Sequence, residues 1–190
     1  MRRRSAKSAP EATRSVARTT VALVTDRAAD TAGSGESTAH QRSLPAKRMG
    51  AGAVIRNAAG DVLVVKPVYK AGWELPGGAV EAGESPRAAC ERELSEELGL
   101  YLEVGPMLCV DYNSPTADYV ESLMFLFDVA PLDDSTAVSI RLDPAELSEY
   151  RFVALDDALG LLDPRVARRL AAVMQPGSIG AYLEDQRPQV

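Results

Sequence analysis

Residues 72–100 read GWELPGGAVEAGESPRAACERELSEELGL. The first half is a loop rich in Gly and Pro, and the second half predicts a helix. Ser85 stands where an N-cap belongs and Pro86 at the first helical position. The helix runs to about Leu98, where Gly99 supplies the stop. Within it Glu93, Glu96 and Glu97 are spaced by three and four residues, so their carboxylates share one face. Like charges at that spacing repel by about 0.2–0.5 kcal/mol even when exposed. Close to a helix C-terminus they also oppose the macrodipole, which favours cations there. A divalent cation bound among them removes the conflict, and Mg²⁺ takes carboxylate oxygens together with water and phosphate. An isolated E-x-x-E-E string is ordinarily a solvated face, so the surrounding residues decide its meaning.

Outward from this helix, GAGAVIRNAAGDVLVVKPV predicts a hairpin with its turn at residues 57–61. Strand-like runs follow at residues 103–112, 119–129, 138–142 and 151–155, and LDDALGLL and residues 164–174 read as helices. Strands with helices between and after them predict an α/β (α+β) fold, an α/β/α sandwich around a mixed β-sheet. Three segments are expected: a basic, unstructured arm over residues 1–47, a catalytic domain over 48–176, and a loose tail over 177–190. In the arm, residues 16–25 alone have strand character, and Ala, Ser, Thr and Arg prevail elsewhere.

Composition narrows the chemistry. Residues 1–48 carry ten Lys or Arg against four Asp or Glu, within a chain of net charge −6. A basic arm therefore precedes an acidic domain, which argues against binding nucleic acid over a broad surface. No apolar run approaches the roughly 18 residues that span a bilayer, and the chain is expected to be cytoplasmic. His40 is the only histidine, which excludes a Ser-His-Asp triad or a His-ligated zinc in the core. Cys90 and Cys109 form no C-x-x-C pair and read as buried small hydrophobes. Catalysis must use carboxylates, Lys, Arg, Tyr or a metal held by oxygen.

The string of glutamates is not isolated. Gly78 is followed after five residues by Glu84, and after seven more by Arg92-Glu93-Leu94-Ser95-Glu96-Glu97-Leu98-Gly99-Leu100. This resembles the Nudix hydrolase signature: G, five residues, E, seven residues, then R-E-U-x-E-E-x-G-U with U aliphatic. Every fixed position is met, and average residue frequencies put a chance match on the order of one in a billion per start position. The Leu75-Pro76-Gly77-Gly78 run before it is also typical of that family.

The resemblance implies a Mg²⁺-dependent pyrophosphohydrolase, with Mn²⁺ as an alternative ion and a small-molecule diphosphate as substrate. ADP-ribose or another nucleotide-type compound fits, and Pro115, fifteen residues after Leu100, resembles a feature of ADP-ribose-cleaving members. Glu93, Glu96 and Glu97 are the implied metal ligands, joined by the backbone of Gly77. Arg92 is expected to orient Glu93 through its planar fork. Gly78 lets the backbone approach the metal, and Glu84 fixes the loop ahead of the helix. Outside the signature, Glu149 is the first candidate for a further acidic ligand or base and Glu146 the second. Trp73 either stacks on a base or covers the core edge. A domain that binds a nucleotide as a sensor without cleaving it is the rival class, although its glutamates would not need to be intact. Dimers are common in the family.

Overall fold

The computed structural model describes residues 34–189 and divides into two units, 1–44 and 45–190. In the first, Ser34–Ser43 forms helix α1, with His40 and Arg42 in its last turn. The Arg42 cation there complements the carbonyl end of the dipole. This corrects the expectation of an unstructured arm at residues 34–43; the strand-like stretch 16–25 lies outside the described residues.

The second unit runs β1 (Arg48–Val54), β2 (Val62–Pro67), β3 (Gly77–Ala79), α2 (Pro86–Leu98), β4 (Val104–Asn113), β5 (Ser122–Val129), α3 (Asp134–Ala137), β6 (Leu147–Val153), α4 (Leu155–Leu161), α5 (Pro164–Val173), β7 (Ala181–Glu184) and β8 (Arg187–Pro188). Among the described residues these make a six-stranded sheet ordered β3-β1-β5-β4-β7-β8 and a two-stranded sheet of β2 and β6. The larger sheet is mixed: β1/β5 and β4/β7 are parallel, and β1/β3, β4/β5 and β7/β8 antiparallel.

Alternating side chains send apolar groups to both faces. Ala51, Ala53, Phe127 and Val129 meet Ala89, Cys90, Leu94 and Leu98 of α2 on one face, while Val54, Leu108, Leu126 and Leu183 meet Ala158, Leu170 and Val173 of α4 and α5 on the other. The result is the expected sandwich. Both cysteines are buried and free, and burial pushes each thiol up to about 12.

Three expectations need correction. The hairpin closes with Asn57 N–H donating to Asp61 O at 3.0 Å and Leu63 N–H to Ile55 O at 2.8 Å, but its arms then part into different sheets. Residues 138–142 are not a strand. Their backbone instead serves the C-terminus of α2, Arg141 N–H donating to Leu98 O at 2.8 Å, where helix carbonyls lack partners. Nor is 177–190 a loose tail: β7 pairs with β4 from Cys109↔Ala181 to Tyr112↔Glu184, and Leu183 is fully buried. A short, half-polar strand at a chain end has too weak a pattern to read before its partner strand is known.

Candidate active site

The site is built on α2. Ser85 caps it, its side chain accepting from Ala88 N–H at 3.2 Å, and Gly99 ends it at φ 66°. The helix buries Ala89, Cys90, Leu94 and Leu98, which turns the glutamate face toward β3 and the loop ahead of it. Glu97 is 8% exposed, and its Oε2 accepts from Gly77 N–H at 2.9 Å. Gly77 sits at φ 139°, and a Cβ there would lie 2.3 Å from Ala51 O. Only glycine fits both the torsion and the space. At Gly78 a Cβ would lie 2.3 Å from Glu93 Oε1, so the missing side chain is the room that the Glu93 carboxylate occupies.

Arg92 ties the loop to the helix. Its Nε and Nη2 donate to the two oxygens of Glu84 at 3.0 and 3.1 Å, its Nη1 to Glu93 at 2.9 Å and to Glu96 at 2.9 Å, and its Nη2 also to Ala79 O at 3.0 Å. The bidentate pair, with a further bond from Glu81 N–H, holds the Glu84 carboxyl below its usual range. These bonds tie Glu84 to the loop backbone at Glu81 and bring the Arg92 fork against Glu93.

Glu93, Glu97 and Glu146 bring ligand oxygens within 4.8 Å of one another. Glu146 arrives on the segment that covers the end of α2, where Asp143 N–H donates to Glu97 O at 3.3 Å and Glu146 N–H to Asp143 O at 3.1 Å. Glu149 does not join them. It lies on β6 opposite Lys66, and Arg151 Nη2 stands 2.6 Å from its Oε1. The order of the two candidates is therefore reversed, because β6 begins at Leu147 and carries Glu149 away along the strand. Glu96 is also outside the group of three; its half-exposed carboxylate is held by Arg92.

Desolvation dominates the electrostatics. Burial, opposed by the Gly77 N–H bond and reinforced by Glu93, Glu146 and Glu74, pushes Glu97 up to about 8. Burial also raises Glu93, against the pull of Arg92. Oxygen donors whose charge is this poorly compensated fit a hard divalent cation.

From Gly77 and Gly78 a cleft of about 240 Å³ extends between the sheet and α5, lined by Ala51, Gly52, Leu75, Met124, Leu126, Val166 and Arg169, with Tyr69, Lys70 and Glu74 also on its wall. Trp73 is not part of it. The indole is buried against the α4–α5 core, with the Arg151 guanidinium 4.7 Å from its ring centroid, so its core role prevails over base stacking. Pro115 lies in a separate, open depression with Arg48 and Tyr119. In the sequence Arg169 stands out only as a member of the helical run 164–174. The available signal is its place three residues after Val166 and four before Val173 on the apolar face; a charge there requires a buried partner. That partner, Asp111, stands in the inward phase of β4 with Cys109 and Asn113.

Comparison with known proteins agrees with this geometry. The chain is 36% identical over 127 residues to a MutT-like protein of Streptomyces ambofaciens, covering 61% of this chain and 79% of that protein. It is 32% identical over 101 residues to an ADP-ribose pyrophosphatase of Bacillus subtilis (strain 168), covering 53% and 52%. A 54-residue match at 59% identity to a Mycobacterium tuberculosis (strain ATCC 25618 / H37Rv) protein spans only 37% of that relative. The MutT NUDIX hydrolase of Burkholderia pseudomallei superimposes with a TM-score of 0.57 at 27% identity, covering 67% of this chain and 98% of that one. The NUDIX domain model matches residues 46–175, the span that holds β1 to β6, α2 to α5 and every residue of the carboxylate site, and the chain belongs to the NUDIX domain family.

Proposed function

We propose that this chain is a Mg²⁺-dependent pyrophosphohydrolase, with Mn²⁺ able to substitute, acting on a nucleoside diphosphate linked to a further group. The observation that carries this reading is the meeting of Glu93, Glu97 and Glu146 beside Gly78. The three offer only carboxylate oxygens, and burial raises the proton affinity of Glu93 and Glu97 among them. Glu93 and Glu97 would hold the ion, with Glu146 and the Gly77 backbone completing the set. When bound there, Mg²⁺ supplies charge withdrawal from the phosphate oxygens and a lowered pKa for bound water.

The protein's own groups do the positioning. Arg92 fixes the Glu93 carboxylate and, through Glu84, the loop that carries Gly77 and Gly78. Gly77 N–H orients Glu97. Glu146 is the exposed member of the three, and its carboxylate oxygen takes the proton of the attacking water. The mainly apolar cleft beside Gly77 and Gly78 receives the part of the substrate beyond the phosphates. Related proteins named as an ADP-ribose pyrophosphatase and a MutT-like protein support a substrate of nucleotide type.

The test is hydrolysis of a panel of ADP-ribose, nucleoside triphosphates, dinucleoside polyphosphates, sugar nucleotides and prenyl diphosphates with Mg²⁺, followed by phosphorus NMR. Cleavage of one class that disappears in EDTA and in Glu97→Gln is the expected result. Binding of nucleotides with no turnover of any compound would replace this reading with that of a sensor domain.

A further inference from the structure

Arg169 is 6% exposed and most of its hydrogen bonds are accounted for. Nε donates to Asp111 Oδ2 at 2.8 Å, and Nη2 donates to Asn113 Oδ1 at 3.0 Å while lying 2.8 Å from the same Asp111 oxygen. Gln186 locks this arrangement: its Nε2 donates to Asn113 Oδ1 at 2.8 Å and Asp111 Oδ2 at 3.2 Å, and its backbone N–H to Asp111 Oδ1 at 3.0 Å. Among the described residues Nη1 has no hydrogen-bond partner. Among the described residues the one fully buried side-chain nitrogen or oxygen without a partner is Arg56 Nε, so Nη1 retains some access. Arg169 lines the cleft that begins at Gly77 and Gly78, and Nη1 is its donor not engaged by Asp111 or Asn113.

The surroundings define what this donor selects. Asp111 is fully buried and offsets the guanidinium charge, so Nη1 acts toward the cleft as a fixed pair of N–H donors rather than as a free cation. Leu75, Met124, Leu126 and Val166 make the adjoining wall apolar, which suits a flat heterocycle better than a sugar with several hydroxyls to satisfy. A 6-oxo purine presents adjacent O6 and N7 acceptors, whereas adenine sets its 6-amino donor beside N7.

We propose that Arg169 Nη1 is the specificity-determining group of the cleft and selects nucleotides whose base presents a carbonyl oxygen to it over their amino counterparts. The proposal rests on the reading above, in which the diphosphate end lies at Glu93, Glu97 and Glu146. An amino group would oppose N–H to N–H and leave a buried donor unpaired, a defect that discriminates more strongly than an apolar misfit.

Inosine and adenosine nucleotides differ at the purine 6 position, oxo against amino, and make a matched pair. Binding of IDP and ADP to the wild-type chain is measured by calorimetry with EDTA and with Mg²⁺, and hydrolysis is compared for ITP against ATP and for the two diphosphoribose compounds. The expected result is a preference for the inosine form of about tenfold or more. Arg169→Lys keeps a charge opposite Asp111 but loses the planar fork, and should bring the ratio toward one while lowering the melting temperature. If that variant does not fold, the wild-type ratio decides alone. Equal affinity, tighter ADP, an unchanged ratio in a folded Arg169→Lys, or no binding of either at millimolar concentration overturns the proposal. Selective binding of IDP without hydrolysis of any diphosphate would remove the proposed activity and leave this inference standing. Hydrolysis without base preference would do the reverse.

Discussion

Glu97→Gln removes a charge while keeping the side chain's shape and an oxygen to accept from Gly77 N–H. In the wild type, burial and the neighbouring Glu93 and Glu146 raise this carboxyl from its ordinary 4.5 to about 8. Between those values the metal-free native state holds a proton that the unfolded chain has released. The native state therefore binds more protons, and its stability falls as pH rises through that window. The contribution is fully present below the unfolded value and is lost as pH passes the folded one. With these two values it shrinks by about 2.5 kcal/mol between pH 5 and pH 7. Glu93, also raised by burial, acts with the same sign. Urea denaturation in EDTA at pH 5, 6, 7 and 8 should show the wild type losing stability that Glu97→Gln retains. Mg²⁺ should restore the wild type at the upper end, because the ion takes the ionised carboxylate, and stabilise the variant much less. Hydrolysis should drop by about a thousandfold or more in the variant, as for loss of a principal electrostatic group. Parallel pH profiles in EDTA, or equal Mg²⁺ stabilisation of both proteins, would refute the reasoning.

The two loop glycines should fail differently. Gly78→Ala meets only the far end of Glu93, so it should fold with a melting temperature close to wild type yet lose at least about tenfold in kcat by displacing a ligand. Gly77→Ala meets the backbone of Ala51 and Gly52 at a positive φ and should cost about 2–5 kcal/mol by chemical denaturation. Glu146→Gln should reduce kcat by about a hundredfold, while Glu149→Gln, which breaks an exposed pair with Arg151, should leave kcat within about threefold and stability within about 1 kcal/mol. Leu183→Ala should lower stability by about 2–5 kcal/mol because Leu183 is wholly buried under α5. Stability unchanged in that variant would mean that β7 is not part of the folded core.

What the sequence determined by itself is the machinery confined to one loop and one helix. The Ser85 cap and the Gly99 stop follow from residue type at the helix ends, and the glutamate face follows from spacing, because helical periodicity converts a separation of three or four residues directly into adjacency. The sandwich class was legible for a similar reason: alternation within each strand and the stripe on α2 are local patterns. Tertiary structure decided everything that depends on a partner distant in the chain. Glu146 rather than Glu149 reaches the site because residues 138–146 satisfy the carbonyl end of α2 instead of forming a strand. The end of the chain becomes β7 and β8 because β4 offers it an open edge. Arg169 becomes a wall of the cleft because Asp111 and Asn113 of β4, themselves held by Gln186 from the β7–β8 turn, accept its hydrogen bonds. A lone acid and a short polar strand carry no local sign of such partners, and an arginine on an apolar helix face signals that it needs a buried partner without naming it; the roles are set by the packing that brings the partners together.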